Sequence, residues 1–220
     1  WYENFETNNL SKHDWNYSKG NSFVHKGNVI GGWGNNELQF YRIGRGSNNI
    51  NSNLFIEDGL LKIQPIHHGS GYRGHSFTSA RINTKSKISF TYPSRITFCF
   101  KVPSGIGFWP AFWLMPDKDS DWPKGGEIDI MEQNGSNKQI LYGTFHWADN
   151  SSQQASYGLT KDINSLGITD VTNEFHLYSL EWTTGILRIY VDNLLICELM
   201  NNDSVPFDNP HYLILNVAMG

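Results

Sequence analysis

The residues best equipped for chemistry lie together in Glu127-Ile128-Asp129-Ile130-Met131-Glu132. In an extended strand, successive side chains point to opposite faces. Glu127 and Asp129 therefore share one face, and Ile128 and Ile130 share the other, which must be the core side. Strict alternation would put Met131 with the carboxylates and turn Glu132 into the core. A buried, unpaired Glu is costly, so that register is implausible. One extra residue at Ile130-Met131, a β-bulge, resets the parity and returns Glu132 to the acidic face. Three carboxyl groups crowded on one short strand repel one another, which raises at least one pKa. A site that cleaves a glycosidic bond needs this division: one carboxylate ionised as nucleophile, another protonated to serve the leaving oxygen. Asp129, in the middle, can hydrogen-bond a neighbour and hold it in its proper state. On these residues alone, a solvated acidic strand edge or a Ca²⁺ site built on carboxylates reads equally well.

The surrounding residues are aromatic. Residues 105–116, Gly-Ile-Gly-Phe-Trp-Pro-Ala-Phe-Trp-Leu-Met-Pro, set Trp109 and Trp113 four apart and so on one face of a strand; Trp122-Pro123 follows just before the carboxylates. The segment is too rich in Gly and Pro for a plain core strand. Indole rings stack on the C–H faces of sugars, and several Trp beside an acidic triplet make a sugar-binding arrangement. Gly143-Thr144-Phe145-His146-Trp147 places His146 and Thr144 on one face of the next strand, where His146 is expected to hydrogen-bond Glu132 or a sugar hydroxyl.

Composition excludes other readings. The 220 residues carry a formal charge of −4, which leaves no electrostatic footprint for nucleic acid, an anionic membrane or a polyanionic substrate. Aromatic residues make up 14% of the chain and eight are Trp, more than an apolar core alone calls for, although most single rings are core. No apolar run approaches the ~20 residues of a membrane-spanning helix. Cys99 and Cys197 both lie in apolar strand-like runs; two buried thiols are expected, with one disulfide open if their strands are neighbours. A chain opening on Trp1 rather than Met is expected to be a processed product. Asn-x-Ser sequons at Asn9, Asn16, Asn134, Asn150 and Asn202 are compatible with secretion.

The elements that must position these groups are short strands. Residues 54–64 read as a hairpin turning at Asp58-Gly59. Further strands are expected at 79–84, 87–92, 94–102, 175–182, 186–191, 194–199 and 211–218, with turns at Thr183-Thr184-Gly185 and Asp192-Asn193. No stretch of 12 or more residues keeps a helical period. Many short strands with Gly, Asn and Pro turns indicate an all-β sandwich or jelly roll, and one domain over 1–220 is the simplest account.

Read together, these motifs resemble glycoside hydrolase family sixteen, and within it the laminarinase type. The resemblance rests on Gly126 with Glu127–Glu132, on residues 32–41 (Gly-Trp-Gly-Asn-Asn-Glu-Leu-Gln-Phe-Tyr), on Thr78-Ser79-Ala80-Arg81-Ile82, on Trp109 to Trp113, on Gly143 to Trp147 and on residues 215–220 (Leu-Asn-Val-Ala-Met-Gly). It implies a β-jelly-roll sandwich of two curved antiparallel sheets with a concave substrate cleft, and a retaining endo-β-1,3-glucanase working by double displacement. By carry-over Glu127 would be the nucleophile, Glu132 the acid/base and Asp129 its assistant, with the bulged Met131 marking the glucanase type. Retention needs the two carboxyl groups ~5–5.5 Å apart. Trp109, Trp113 and Trp122 would form stacking subsites, and Asn36, Arg81, His146 and Asn216 would hydrogen-bond substrate.

The resemblance further implies a secreted monomer that acts on β-glucan polysaccharide or oligosaccharide, with no nucleic acid or membrane partner and no cofactor for catalysis. It also implies a strand beyond Gly220, whose Asp would join Glu3 at a structural Ca²⁺ site; without that strand, Ca²⁺ stays open. Mixed-linkage β-1,3-1,4-glucan is an alternative substrate. A non-catalytic β-glucan-binding protein on the same fold is the alternative of a different class, and the presence of both Glu127 and Glu132 favours the enzyme.

Overall fold

The computed structural model describes residues 1–7, 9–43 and 52–220. Strands dominate, and the helices among the described residues are two single 3₁₀ turns, Gly32–Gly34 and Ile163–Leu166. The chain forms two compact units, one of Trp1–Lys87 with Leu215–Gly220 and one of Ile88–Ile214.

The first unit holds β1 (Asn16–Tyr17), β2 (Ser22–His25), β3 (Asn28–Gly31), β4 (Gln39–Tyr41), β5 (Leu54–Glu57), β6 (Leu60–Ile63), β7 (Ile66–Tyr72), β8 (His75–Ser79) and β9 (Arg81–Asn83). Asp58-Gly59 joins β5 to β6, with φ of +54° and +71°, the left-handed pair that a two-residue hairpin demands. Trp15, Tyr41, Leu54 and Ile82 are fully buried and make this unit's core.

The second unit holds β10 (Ser89–Phe90), β11 (Ser94–Phe100), β12 (Phe108–Pro116), β13 (Glu127–Glu132), β14 (Ile140–Ala148), β15 (Gln154–Asp162), β16 (His176–Trp182), β17 (Ile186–Val191) and β18 (Leu194–Met200), and β19 (His211–Met219) begins in it. One antiparallel sheet runs β12-β13-β14-β15, and a second runs β11-β16-β17-β18. The two pack face to face. Phe98 and Phe100 of β11 lie 5.3 and 5.9 Å from Phe112 of β12, and Ile189 and Ile196 close on the backbone of Gly143 in β14. Phe112, Leu114, Ile128 and Phe145 meet Leu180, Leu187 and Ile189, all fully buried. Each such side chain contributes roughly 1.5–3 kcal/mol by leaving water. This core fixes which face of β12–β14 is left for chemistry.

The two cysteines differ from expectation. Cys197 is buried but Cys99 is exposed, and both are free thiols. The alternation of β11 explains it: Phe98 and Phe100 face the core, so Cys99 takes the outer face. Strands β16 and β17 lie between the two cysteines, a separation of about 14 Å at normal strand spacing. A disulfide spans less than half of that.

Candidate active site

Gly126 opens β13 with φ +83°, and a Cβ there would stand 2.7 Å from Cε1 of buried Phe207. Only glycine fits, and its turn aims the first strand residue, Glu127. The register then shows the bulge. On β12, Trp113 pairs with Asp129 and the adjacent Phe112 with Met131, so Ile130 has no opposite number. On β14, His146 pairs with Glu127, Thr144 with Asp129 and Tyr142 with Glu132, so two β14 residues span three on β13. Ile128, Ile130 and Met131 are all buried, at 0%, 2% and 1% exposure. Two successive residues therefore face the core, and Glu127, Asp129 and Glu132 emerge together on the other side.

Burial separates the three acids. Asp129 is 3% exposed, whereas Glu127 and Glu132 are half-buried. Burial pushes the Asp129 carboxyl well above the usual carboxylate range; the charges of Glu127 and Glu132 and a hydrogen bond shared with Glu127 push the same way. Burial also raises Glu132, the indole N–H of Trp109 draws it back, and the Glu127 charge raises it further. Asp129 is thus biased toward its protonated form, in which it can donate to Glu127. The indole N–H of Trp122 donates to Oε2 of Glu127 at 2.5 Å, and that of Trp109 to Oε1 of Glu132 at 2.9 Å. One carboxyl supplied with donors beside a second one biased toward its protonated form is the division that two-carboxylate chemistry uses.

Of its two expected partners, His146 does not meet Glu132 within the protein. Its register mate is Glu127, and its Nε2 stands 3.3 Å from Oδ2 of Asp129, not beside Glu132. That approach is too poorly aligned for a hydrogen bond, and both Oδ2 of Asp129 and Nδ1 of His146 are buried without a hydrogen-bond partner. The Trp122 ring, half exposed, lies 6.2 Å from the imidazole. Trp113 is half-buried on the carboxylate face. The site therefore combines apolar ring surface with unspent polar groups.

The remaining candidates lie in the first unit. Asn36 is exposed with φ +59°. The Arg81 guanidinium sits 4.6 Å over the Trp33 ring, a cation–π contact. Asn216, at 6% exposure, donates through Nδ2 to the Tyr41 hydroxyl at 3.3 Å. That hydroxyl donates in turn to Oε2 of Glu37 at 2.8 Å, and Gln39 donates to the same oxygen at 2.5 Å. Glu3 accepts from the Phe5 N–H at 3.0 Å and from Trp15 Nε1 at 3.2 Å, so as placed it caps its own segment. Among the described residues, no three His, Cys, Asp or Glu gather as a metal would need.

Two features escaped the sequence reading. Tyr142 pairs with Glu132 and shares its face; extending the alternation from His146 and Thr144 two residues back finds it. Gly158 of β15 lies against Thr144, where a Cβ would come within 2.7 Å of the threonine hydroxyl, and no local pattern announces that.

Comparison with known proteins places these features in a family context. The family described as Glycosyl hydrolases family 16 matches residues 37–220. Glucan endo-1,3-beta-glucosidase A1 of Niallia circulans is 34% identical across 100% of the chain, which spans 33% of that longer protein. The Beta-glucanase of Rhodothermus marinus is 34% identical across 100% of the chain and 74% of its own length. A LamA variant from Z. galactanivorans, solved in complex with laminaritriose and laminaritetraose, superposes with a TM-score of 0.81 at 35% identity, covering 99% of this chain and 87% of that one.

Proposed function

The chain belongs to glycosyl hydrolase family 16, and from that premise we propose that it is a retaining endo-β-1,3-glucanase acting on laminarin-like glucans, on the jelly-roll scaffold of its relatives. The observation that carries this reading is the bulged strand, which delivers Glu127, Asp129 and Glu132 to one face with the middle acid buried and its carboxyl pushed well above the usual carboxylate range.

In this reading the Glu127 carboxylate attacks the anomeric carbon while Glu132 gives its proton to the departing glycosidic oxygen. The anomeric carbon–oxygen bond breaks as the glycosyl-enzyme ester forms. Glu132, now ionised, takes a proton from water, whose oxygen displaces Glu127 with a second inversion and leaves a β-configured product. Asp129 donates to Glu127 and relieves the crowding of negative charge that three ionised acids would create. Trp113 and Trp122 offer faces for sugar rings, and His146 offers a hydrogen bond. A polymeric substrate that cannot cross a membrane agrees with secretion, as the sequons do.

Reducing-end release from a panel of β-1,3-glucan, mixed-linkage glucan and sulfated galactan tests the proposal. Cleavage of β-1,3-glucan that is abolished in Glu127→Ser, with oligomer binding retained, is the expected result. Binding without cleavage by the unmodified protein would make it a glucan-recognition module, and cleavage of the galactan alone would refute the substrate class.

A further inference from the structure

Trp109 entered as a stacking residue, yet the structure turns the edge of its indole, rather than a face, toward the carboxylates. We propose that Trp109 is the positioning residue of the acid/base carboxylate: its indole N–H, fixed on β12, holds Glu132 in the orientation from which it serves the leaving oxygen. This rests on the glucanase reading and adds to it a residue that acts through Glu132.

The geometry is specific. Nε1 of Trp109 donates to Oε1 of Glu132 at 2.9 Å. Ala111, two residues further along β12, is the register partner of Glu132, so the indole reaches diagonally across the strand pair on the carboxylate face. The backbone beneath the indole is pinned on both sides: Gly135 N–H donates to Phe108 O at 2.7 Å and Gln133 N–H to Pro110 O at 3.3 Å. Residue 135 has no room for a side chain, since a Cβ there would meet Gly105 O at 2.6 Å and Phe108 Cβ at 2.8 Å. The donor is therefore a fixed point. The carboxylate is not, because Glu132, although its backbone pairs with Ala111 and Tyr142, is the last residue of β13 and carries a long side chain with several free torsions. A hydrogen bond from a fixed donor supplies the missing constraint.

The same bond sets the working range. The groups facing Glu132 are Glu127 and Asp129 on its own strand, Tyr142 opposite on β14 with His146 further along, and, from β12, the Trp109 N–H beside the methyl of Ala111. Burial and the Glu127 charge favour the protonated acid, and the indole donor favours the ionised form. Glu132 must be protonated to act in the first step, so turnover is lost as pH rises through its pKa. Removing the N–H raises that pKa and moves the alkaline limb upward.

The test compares Trp109→Phe with the unmodified enzyme on two substrates. β-1,3-Glucan has a sugar alkoxide as leaving group and needs the acid. A dinitrophenyl β-laminaribioside has a leaving group that departs without a proton. Expected for Trp109→Phe is a fall in kcat/KM of about 10- to 100-fold on glucan, part of the ~10²–10⁴ that general acids supply. On the aryl glycoside the change stays within about threefold, and the alkaline limb on glucan rises by about half to one pH unit. β-(3-Benzothienyl)alanine at position 109 keeps the bicyclic shape and removes only the N–H; it gives the same split, which covers the case of a poorly folded Phe variant. Equal losses on both substrates, or an unmoved alkaline limb, would overturn the positioning role. An unmodified protein inert on β-1,3-glucan but active on the aryl glycoside would instead overturn the substrate assignment on which the proposal stands.

Discussion

Replacing Gly126 by Ala perturbs the turn that aims Glu127, and its cost follows from two constraints. At φ +83° an L-residue pays roughly 1–2 kcal/mol for the left-handed backbone. The new methyl also meets Phe207 Cε1 at 2.7 Å, Cδ1 at 3.1 Å and Pro206 Cγ at 3.1 Å, where ordinary contacts begin near 3.4 Å. Phe207 cannot swing away freely. It is fully buried, with Phe145 at 5.8 Å, His211 at 6.1 Å and Trp147 at 6.5 Å. Overpacking of this kind costs about 1–3 kcal/mol, so the total is about 2–5 kcal/mol. With a urea m-value of about 2.5 kcal/mol/M, the unfolding midpoint falls by about 1–2 M. If the chain relaxes by shifting the turn, Glu127 moves with it, and a misplacement of about 1 Å costs on the order of 100-fold in turnover. Urea unfolding followed by Trp fluorescence, with glucan hydrolysis on the same samples, measures both. Gly185→Ala is the control: nothing lies within 4 Å of a Cβ there and φ is ordinary, so midpoint and rate should hold. A Gly126→Ala variant as stable and active as its parent, or a control that loses as much, would refute the reasoning.

Asp129→Asn should trade activity for stability. The Asp129 pKa is raised by folding, so the stability it contributes is full below the unfolded value near 4 and is lost as pH rises through the folded value. Asn does not ionise, so the variant should match its parent near pH 3.5 and melt higher at pH 7–8, by roughly 2–4 °C for each kcal/mol of the ionisation penalty removed, while glucan hydrolysis falls. A variant less stable than its parent at pH 7–8 would show that Asp129 is not held as a buried, crowded acid. Thiol titration of the unreduced native protein should count one rapidly reacting thiol, Cys99, with Cys197 reacting only after unfolding; two protected thiols would signal a disulfide that the strand order forbids.

Much of this was legible in residue order because the physics is local. The bulge announced itself as two apolar residues, Ile130 and Met131, interrupting an acid-apolar alternation, and β17 carries clean alternation between defined turns. Strands β2, β3, β7 and β15 carry no such signal. Gln154–Asp162 is exposed at all but two positions, so solvent rather than a core chose its residues, and only pairing with β14 makes it a strand. Val24 and Val29 of the β2–β3 hairpin are likewise open to water. In the site, types and faces were readable but partners were not. Register across three strands sent His146 to Asp129 rather than Glu132. The side-chain torsions of Trp109, which no spacing encodes, decided that its N–H meets the acid. Cys99 was misjudged because flanking Phe98 and Phe100 made the run look uniformly apolar, when alternation put only the rings inside.

The central claim is that Glu127 forms a covalent bond to the sugar while Glu132 serves the leaving group. Incubation with an activated 2-deoxy-2-fluoro β-laminaribioside, followed by mass spectrometry of the digested protein, tests it most directly. The account predicts one glycosyl adduct per chain on the peptide carrying Glu127, absent in Glu127→Ser and still formed in Glu132→Ala. An adduct on another residue, or a chain that turns over the reagent in Glu127→Ser as in its parent, would contradict it.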